Sequence, residues 1–354
     1  MNWSDTITKI PFLIFPLLLP GNAYPWSTHS LITDISLSGI KGNLSSAKHR
    51  ESYPPFEDNS INKNYDLLYG HKLLSPGELL DNDLDEKRPA GVEVPNEFLP
   101  IFNLLAIYSS EPEWGMDRNV DTGFVSGFMG GSQGMRHMYY PALSIHFPLF
   151  LIPMGKAPER AEHYTKLAIR AFREGNQYWG WRYAAWALHY LQDLGQPYHT
   201  RQTYYKFIVL SSPVKGTTRV TKNYHIGFER FTSFLLTKEL NGELPPTLLN
   251  SLLECNSLKI EGSIEGFAKN VAKLSNKMSG DTFTVSINLF PDEMMEPRKV
   301  SIDRGEAERL IQSENFKNYL EVASNALCIT GDITRKYVSW MWKQFEQAKD
   351  ESKF

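Results

Sequence analysis

The chain contains the stretch His189-Tyr-Leu-Gln-Asp193-Leu-Gly-Gln-Pro-Tyr-His199, in which a predicted helix ends at a glycine and a proline. His189 and Asp193 are four residues apart in an apolar-periodic run, so both project from one face of that helix, about one turn apart. The Gly195-Gln196-Pro197 turn stops the helix and lets His199 approach the same place from outside it. Three side chains that can bind a metal are therefore predicted to lie close together.

A second pair of metal-binding side chains, His225 and Glu229, repeats the four-residue spacing in a helix predicted over 220–238. A single pair of this kind is usually a surface pair worth about 0.2–0.5 kcal/mol. Two pairs with a histidine between them favour a metal site instead. Imidazole nitrogen and carboxylate oxygen without thiolate are typical of zinc in an open, catalytic site rather than a closed, structural one.

The whole chain is long enough for one large domain with a substantial core, at 354 residues and a formal net charge of −3. Helical periodicity dominates and strand alternation is scarce, so we predict an all-α, single-domain, multi-helix bundle. A near-neutral chain has no basic field of the kind that general nucleic-acid binding uses, which disfavours a nuclease without excluding one.

The N-terminus has the pattern of a secretory signal over residues 1–23, with Lys9, an apolar stretch over 10–19 and Gly21-Asn22-Ala23. The apolar stretch is too short to span a membrane, and no other stretch approaches the ~20 apolar residues that a span requires. We expect a secreted or periplasmic protein without an integral membrane segment. Cys255 and Cys328, the two cysteines of the chain, either form a disulfide in that compartment or remain buried thiols.

The remaining patterns predict the order of the elements. Residues 39–94 are polar and rich in Pro, Asn and Asp, which indicates a loop-rich insertion. Alternation over Thr282–Phe290 predicts a short strand or an extended loop. Further helices are predicted over 27–38, 95–109, 157–175, 179–194, 248–276 and 304–349.

These motifs resemble the zinc-dependent phospholipases C of bacteria, which share a fold with the single-strand-specific zinc nucleases of fungi and plants. The family's His-x3-Asp-x5-His pattern matches His189, Asp193 and His199, and its following His-x3-Glu matches His225 and Glu229. The two motifs match in order along the chain. The resemblance covers motifs spread over most of residues 26–354, which we expect to form the enzyme domain.

Two upstream segments extend the resemblance. His137-Met-Tyr-Tyr-Pro141 is similar to a ligand segment of the family, and Trp26-Ser-Thr-His29 is similar to the start of its mature chain. In the family, that tryptophan binds metal through its free amine and carbonyl. Cleavage after Ala23 fits the signal best but leaves Tyr24-Pro25, so exposing Trp26 requires cleavage after Pro25 or later trimming.

The family also has an acidic residue upstream of the His137-like ligand. Glu111 is the first choice for it, as a ligand or general base, and Asp117 and Asp121 are alternatives. The interval from Glu111 to His137 is longer than the family's usual one. A Gly-rich insertion over Gly123–Gly134 accounts for the extra residues.

The resemblance implies a cleft with three zinc ions. One ion would use His137, His189 and Asp193, with the upstream acid as a further ligand. A second would use His199, His225 and Glu229. A third would use Trp26, His29 and the other oxygen of a bridging Asp193.

The implied reaction is the hydrolysis of phosphodiesters by a metal-bound hydroxide. The Gly-Gln-Pro-Tyr-His segment ending at His199 is closer to the phospholipase branch, so we expect a phospholipid substrate. A single-strand-specific nuclease is the alternative, and nucleic acid is a partner only in that case. A non-catalytic surface-binding protein with structural zinc is a lesser alternative. No calcium-dependent membrane domain is implied.

Aromatic side chains near His137 are candidates for the cleft wall that selects the substrate. Phe124, Phe128, Tyr139 and Tyr140 could hold a choline headgroup by cation–π attraction or stack on a nucleobase.

Overall fold

A computed structural model describes residues 28–38, 46–48, 98–114, 116–117, 131–141, 153–201 and 215–351. The fold of these residues is all-α, as the periodicity predicted. The helices are α1 Thr28–Leu37, α2 Ile101–Tyr108, α3 Gly131–His137, α4 Ala157–Arg173, α5 Gln177–Asp193, α6 Lys215–Leu240, α7 Thr247–Glu254, α8 Ile264–Leu289, α9 Arg304–Ile311 and α10 Phe316–Glu351. Short 3-10 helices cover Glu111–Trp114, Pro197–His199 and Asp292–Met295.

Helix α5 lies at the centre of the structure, and every residue from Tyr178 to Asp193 is buried. The Asn176 side chain caps its start by accepting a hydrogen bond from the Trp179 backbone N–H at 3.3 Å. Most side chains of α5 are apolar or aromatic, so other elements must cover it on all sides. Helices α2, α4 and α10 pack against it, and together with α8 they form one of the two large hydrophobic clusters.

Helices α4 and α5, which the sequence predicted over 157–175 and 179–194, form an antiparallel pair. Small residues allow close contact, since a Cβ on Gly180 would meet the Phe172 ring at 2.2 Å. Gly175 ends the first helix in the left-handed region, with φ of 74°, which favours glycine. The chain therefore reverses directly and returns α5 through the core.

Two short antiparallel ladders accompany the helices within the described ranges. Strand β1 (Ser46–Lys48) pairs with β2 (Phe98–Pro100), and β3 (Tyr139–Tyr140) pairs with β4 (Met154–Gly155). The second ladder follows directly after α3 and fixes the position of His137 at the end of that helix. Apart from β1, the predicted insertion over 39–94 lies outside the described residues, as does the predicted signal over 1–23.

The strand or extended loop predicted over Thr282–Phe290 is wrong, because α8 continues through Leu289. The alternating sequence also places Phe283, Ser286 and Leu289 at helical spacing, and all three are buried. The hydroxyls do not break the helix, since Ser286 Oγ donates to the Thr282 carbonyl at 2.7 Å.

Three predicted helices have different bounds in the structure. The helix expected over 95–109 begins at Ile101, after strand β2. The helices expected over 248–276 and 304–349 are each divided in two, as α7 and α8 and as α9 and α10. No helix in the described ranges is long and apolar enough to cross a bilayer.

A disulfide joins Cys255, at the end of α7, to Cys328 in α10, with the Cα atoms 5.3 Å apart. Of the two possibilities left open by the sequence, a disulfide or two buried thiols, the structure has the disulfide. The two helices are in close contact beside it, because a Cβ on Gly331 would lie 2.1 Å from the Leu252 carbonyl oxygen.

We predict that Gly331→Ala destabilises the protein although alanine favours helix. The new methyl group meets backbone that the disulfide holds in place, and overpacking typically costs about 1–3 kcal/mol. Gly280→Ala is the matched control, because nothing lies within 4 Å of a Cβ at that helical position. It should leave stability unchanged or raise it by about 0.5–1 kcal/mol. Urea unfolding measures both, and equal stabilities of the two variants would contradict the close helix contact.

Candidate metal centre

Three of the predicted ligands, His189, Asp193 and His199, lie close together at the C-terminal end of α5 and in the turn that follows it. His189 and Asp193 lie one turn apart on the helix, and the Gly195 N–H donates to the Gln192 carbonyl as the helix ends. The 3-10 helix Pro197–His199 follows at once. Its start is capped by the Gln196 side chain, which accepts a hydrogen bond from the Tyr198 N–H. His199 is thereby turned back toward Asp193, with Nδ1 and Oδ1 3.6 Å apart.

A first donor group forms around His189 and Asp193. His137 Nδ1 lies 2.8 Å from Glu113 Oε1, 2.9 Å from His189 Nε2 and 3.0 Å from Asp193 Oδ2. His189 Nε2 lies 3.2 Å from both Glu113 Oε1 and Asp193 Oδ2. Tetrahedral ligands at about 2.0–2.2 Å from zinc are about 3.3–3.6 Å apart, so these four atoms are nearly at ligand spacing.

A second donor group consists of His199, His225 and Glu229. His225 Nε2 lies 2.7 Å from Glu229 Oε1 and 3.0 Å from His199 Nε2, and His199 Nε2 lies 3.3 Å from the same carboxylate oxygen. Three protein donors leave a fourth tetrahedral position for water or substrate, which is the arrangement of catalytic sites. Two groups of side chains could therefore hold metal ions: His29, Glu113, His189 and Asp193, which His137 contacts, and His199, His225 and Glu229.

Asp193 connects the histidines of the centre through its two oxygens. Oδ2 faces His137 and His189, whereas Oδ1 lies 3.4 Å from His29 Nε2. His29, carried by α1, belongs to the same group of potential ligands as Glu113. The carboxylate is therefore placed to serve two positions at once.

The outer nitrogens of the histidine rings contact oxygen acceptors that fix the ring orientation. Nδ1 of His29 donates to Gln192 Oε1 at 2.8 Å, and Nδ1 of His189 donates to the Ser109 carbonyl at 2.7 Å. Nδ1 of His199 donates to the His137 carbonyl at 2.9 Å. In its neutral form, a ring that donates through Nδ1 keeps a lone pair on Nε2, and each Nε2 faces the cluster.

His137 has the opposite orientation, with Nδ1 in the cluster and Nε2 3.2 Å from Asp117 Oδ2. Asp117 is fully buried and accepts hydrogen bonds from Arg136, Arg160 and the Tyr190 hydroxyl. Burial favours the neutral acid, but Arg160 and then His137 and Arg136 outweigh it and hold the pKa of Asp117 well below its usual range. A charged Asp117 orients the His137 ring, as carboxylates do behind metal-bound histidines.

Glu111 has a different place from the one expected for a ligand or base. Its buried carboxylate accepts hydrogen bonds from Arg182 Nε at 2.9 Å and from Trp186 Nε1 at 2.5 Å, and neither donor group includes it. Arg182 also lies over the Tyr108 and Trp179 rings, 4.5 Å from each centroid. Glu111 thus anchors the 3-10 helix from which Glu113 reaches the histidines.

Glu113 is the potential ligand that the sequence analysis missed. Its interval to His137 is two residues shorter than that of Glu111, in the direction that the family's spacing favours. Asp117 and Asp121 shorten the interval as well, so spacing alone did not single out Glu113. Asp121 and Trp26 lie outside the described residues.

Tyr139 and Tyr140 are buried rather than exposed on a cleft wall. Tyr139 belongs to the main hydrophobic cluster, and Tyr140 packs with Met135 and Met154. Phe124 and Phe128 lie outside the described residues. The two tyrosines therefore support the ladder behind His137.

The pKa values of the buried histidines differ, because the charged groups around them differ. Burial, reinforced by His189, lowers the pKa of His29, which favours the neutral ring that a metal ligand requires. Burial alone would also lower the pKa of His199, but the Asp193 and Glu229 carboxylates outweigh it and raise that pKa to about 9. Burial raises the pKa of Asp193, yet His199 and His189 bring it well below its ordinary value.

No family model matches the chain, and a search of curated proteins returned no match. The chain is similar to alpha-toxins of Clostridium. An alpha-toxin from an avian strain of Clostridium perfringens is 15% identical, with a TM-score of 0.38, over 91% of this chain and 65% of that one. The alpha-toxin of Clostridium absonum is 14% identical, with a TM-score of 0.36, over 90% of this chain and 66% of that one. The chain thus spans about two thirds of the length of either toxin.

We predict that Glu113→Gln and Glu111→Gln have different effects. Glu113→Gln replaces a charged donor, so zinc affinity should fall by at least about 10–100-fold while the fold persists. Glu111→Gln leaves Arg182 buried beside a neutral group, so it should lower stability by up to about 3–5 kcal/mol with less effect on metal affinity. Competitive zinc titration and thermal unfolding separate the two effects. Wild-type zinc affinity in Glu113→Gln would exclude Glu113 as a ligand.

Zinc binding should release protons, and zinc affinity should increase as the pH rises. His199 has a raised pKa of about 9 in the metal-free protein, so below that pH its proton must leave before the ring can bind metal. Affinity should therefore increase from pH 6 toward pH 9, the window below the raised pKa. Calorimetry at pH 7.5 in buffers of different ionisation enthalpy counts the protons released. An affinity independent of pH over this range would contradict a protonated His199.

Proposed function

We propose that the chain is a zinc-dependent phosphodiesterase of the phospholipase C type. The observation that carries this proposal is the convergence of Glu113, His189 and Asp193 on His137 Nδ1, at 2.8–3.0 Å, beside the open group at His199, His225 and Glu229. Nitrogen and oxygen donors in these numbers suit zinc.

The chemistry proposed for this centre is hydrolysis. Zinc supplies Lewis-acid activation of water and of the phosphoryl oxygens. The protein contributes donors whose positions are set before substrate arrives, through Ser109, Gln192 and Asp117 behind the rings. His189 and Asp193 are almost fully buried, and a dry site strengthens interactions with the charge that develops on a phosphate.

Three zinc ions are part of the proposal. Each of the two donor groups would hold one ion. His29 Nε2 and Asp193 Oδ1 would be the first two ligands of a third ion. Trp26, two residues before α1, would complete it through its main-chain amine once Tyr24-Pro25 is removed. Export through the predicted signal is proposed as well. The Cys255–Cys328 disulfide supports it, because such bonds persist in oxidising compartments.

Phospholipid is the proposed substrate. The His189–His199 segment resembles the phospholipase branch, and the chain has no excess of basic residues for a polyanion. A nuclease with the same metals would differ in the walls of the cleft rather than in its chemistry.

The test is zinc analysis combined with a substrate panel of phosphatidylcholine, sphingomyelin, single-stranded DNA, RNA and a chromogenic phosphodiester. We expect hydrolysis that chelation abolishes and zinc restores, with the choline lipids giving the highest kcat/KM. Asp193→Asn should remove most of this activity together with bound zinc, since two positions share the carboxylate. Glu254→Gln, on the surface at the end of α7, is the control and should have no effect.

Two outcomes would overturn parts of this proposal. Full activity after verified removal of all metal would exclude the zinc mechanism. Turnover of single-stranded nucleic acid at least as efficient as that of the choline lipids, with stronger inhibition by a mononucleotide than by phosphocholine, would replace the phospholipase by the nuclease.

A further inference from the structure

A second site for an anion lies on α6, the helix that carries His225 and Glu229. A cavity of about 210 Å³ opens there between the helix and residues 299–301. Four of its lining side chains are cationic: Arg219, Lys222, Arg230 and Lys299. Lys222 precedes His225 by three residues, so the cavity is on a helix face neighbouring that of the metal donors.

The far wall of the cavity is fastened to the helix by Asn223, which is 2% exposed. Its Nδ2 lies 3.2, 3.2 and 2.9 Å from the carbonyl oxygens of Met294, Glu296 and Arg298, and its Oδ1 accepts from the Val300 N–H at 3.3 Å. The buried Asn223 side chain therefore contacts four backbone groups of the segment that carries Lys299. The cavity is part of the folded structure, because hydrogen bonds join its two walls.

The charge of the cavity contrasts with that of the whole chain. Among the described residues no acidic side chain lines it, whereas the chain has a formal net charge of −3. A concave wall that carries several cations attracts an anion. Two guanidinium groups add donors whose planar geometry matches phosphate oxygens.

We propose that this cavity binds a phosphate group, carried by a free anion or by a lipid headgroup. Its volume is below the about 300–1,000 Å³ of sites for drug-sized ligands, which suits a phosphate or headgroup better than a larger molecule. The site is separate from the metal donors, so it stands whether or not the proposed function is correct. On a phospholipid-hydrolysing enzyme it would hold the metal-bearing helix close to an anionic surface.

Lysine acetylation followed by mass spectrometry tests the site directly on the zinc-loaded full chain. Lys222 and Lys299 are exposed and should react with the reagent, as should Lys273 and Lys277, exposed on α8 away from the cavity lining. Inorganic phosphate should slow acetylation of the first two severalfold and leave the second two unchanged. Chloride at the same ionic strength should protect none of them. Equal rates with and without phosphate at Lys222 and Lys299, with vesicles also giving no protection, would overturn the proposal.

Vesicles distinguish the two sources of the phosphate. Digalactosyldiacylglycerol vesicles with and without phosphatidic acid avoid the proposed phospholipase substrates. Protection by free phosphate alone would identify a small-anion site, and protection by the phosphatidic acid vesicles would identify a headgroup site. For a headgroup site, the double variant Arg219→Gln with Lys222→Gln should bind those vesicles about 30-fold more weakly.

A matched variant controls for the general loss of positive charge. Lys273→Gln with Lys277→Gln removes the same two charges, and its vesicle binding and phosphate protection should equal those of the wild type. Zinc content measured in both variants separates this site from the metal centre. Equal weakening of vesicle binding in the two double variants would show a nonspecific charge effect and overturn the headgroup assignment.

Discussion

The carboxylate of Asp193 is the group on which the rest of this structure depends. It is charged, buried at the end of the most buried helix, and lies within 3.6 Å of ring nitrogens from His29, His137, His189 and His199. A buried charge without partners is costly, so the surrounding helices must bring positive or metal-bound groups to it. Helix α1, the end of α3 and the turn after α5 all meet at this point.

A layer of buried polar contacts stabilises that arrangement from behind. Asp117 with Arg136 and Arg160 fixes one face of His137, and Glu111 with Arg182 fastens the turn that presents Glu113. Removing one partner of such a pair is expected to cost more than a surface pair, because the other charge remains buried. Residues that do not themselves bind metal therefore fix the positions of the metal-binding atoms.

The sequence predicted helices α4 and α5 well, because the apolar periodicity of both segments is strong. It also indicated most of the potential ligands, since a four-residue spacing on a helix determines which side chains share a face. Glu113 was missed because Glu111 and Glu113 share one short segment. Only the buried Arg182 and Trp186, which hold Glu111, decide which of the two carboxylates faces the histidines. The strand expected over 282–290 failed for a related reason: its hydroxyl groups bond within the helix, which alternation alone does not reveal.

The most direct test of the account is a crystal structure of the mature protein with anomalous diffraction data collected on both sides of the zinc absorption edge. The account predicts one ion bound by Glu113, His137, His189 and Asp193, and a neighbouring ion bound by His199, His225 and Glu229. Metal–ligand distances should be about 2.0–2.2 Å. The absence of an ion from either group, or an ion bound by Glu111 with Glu113 turned away, would contradict it.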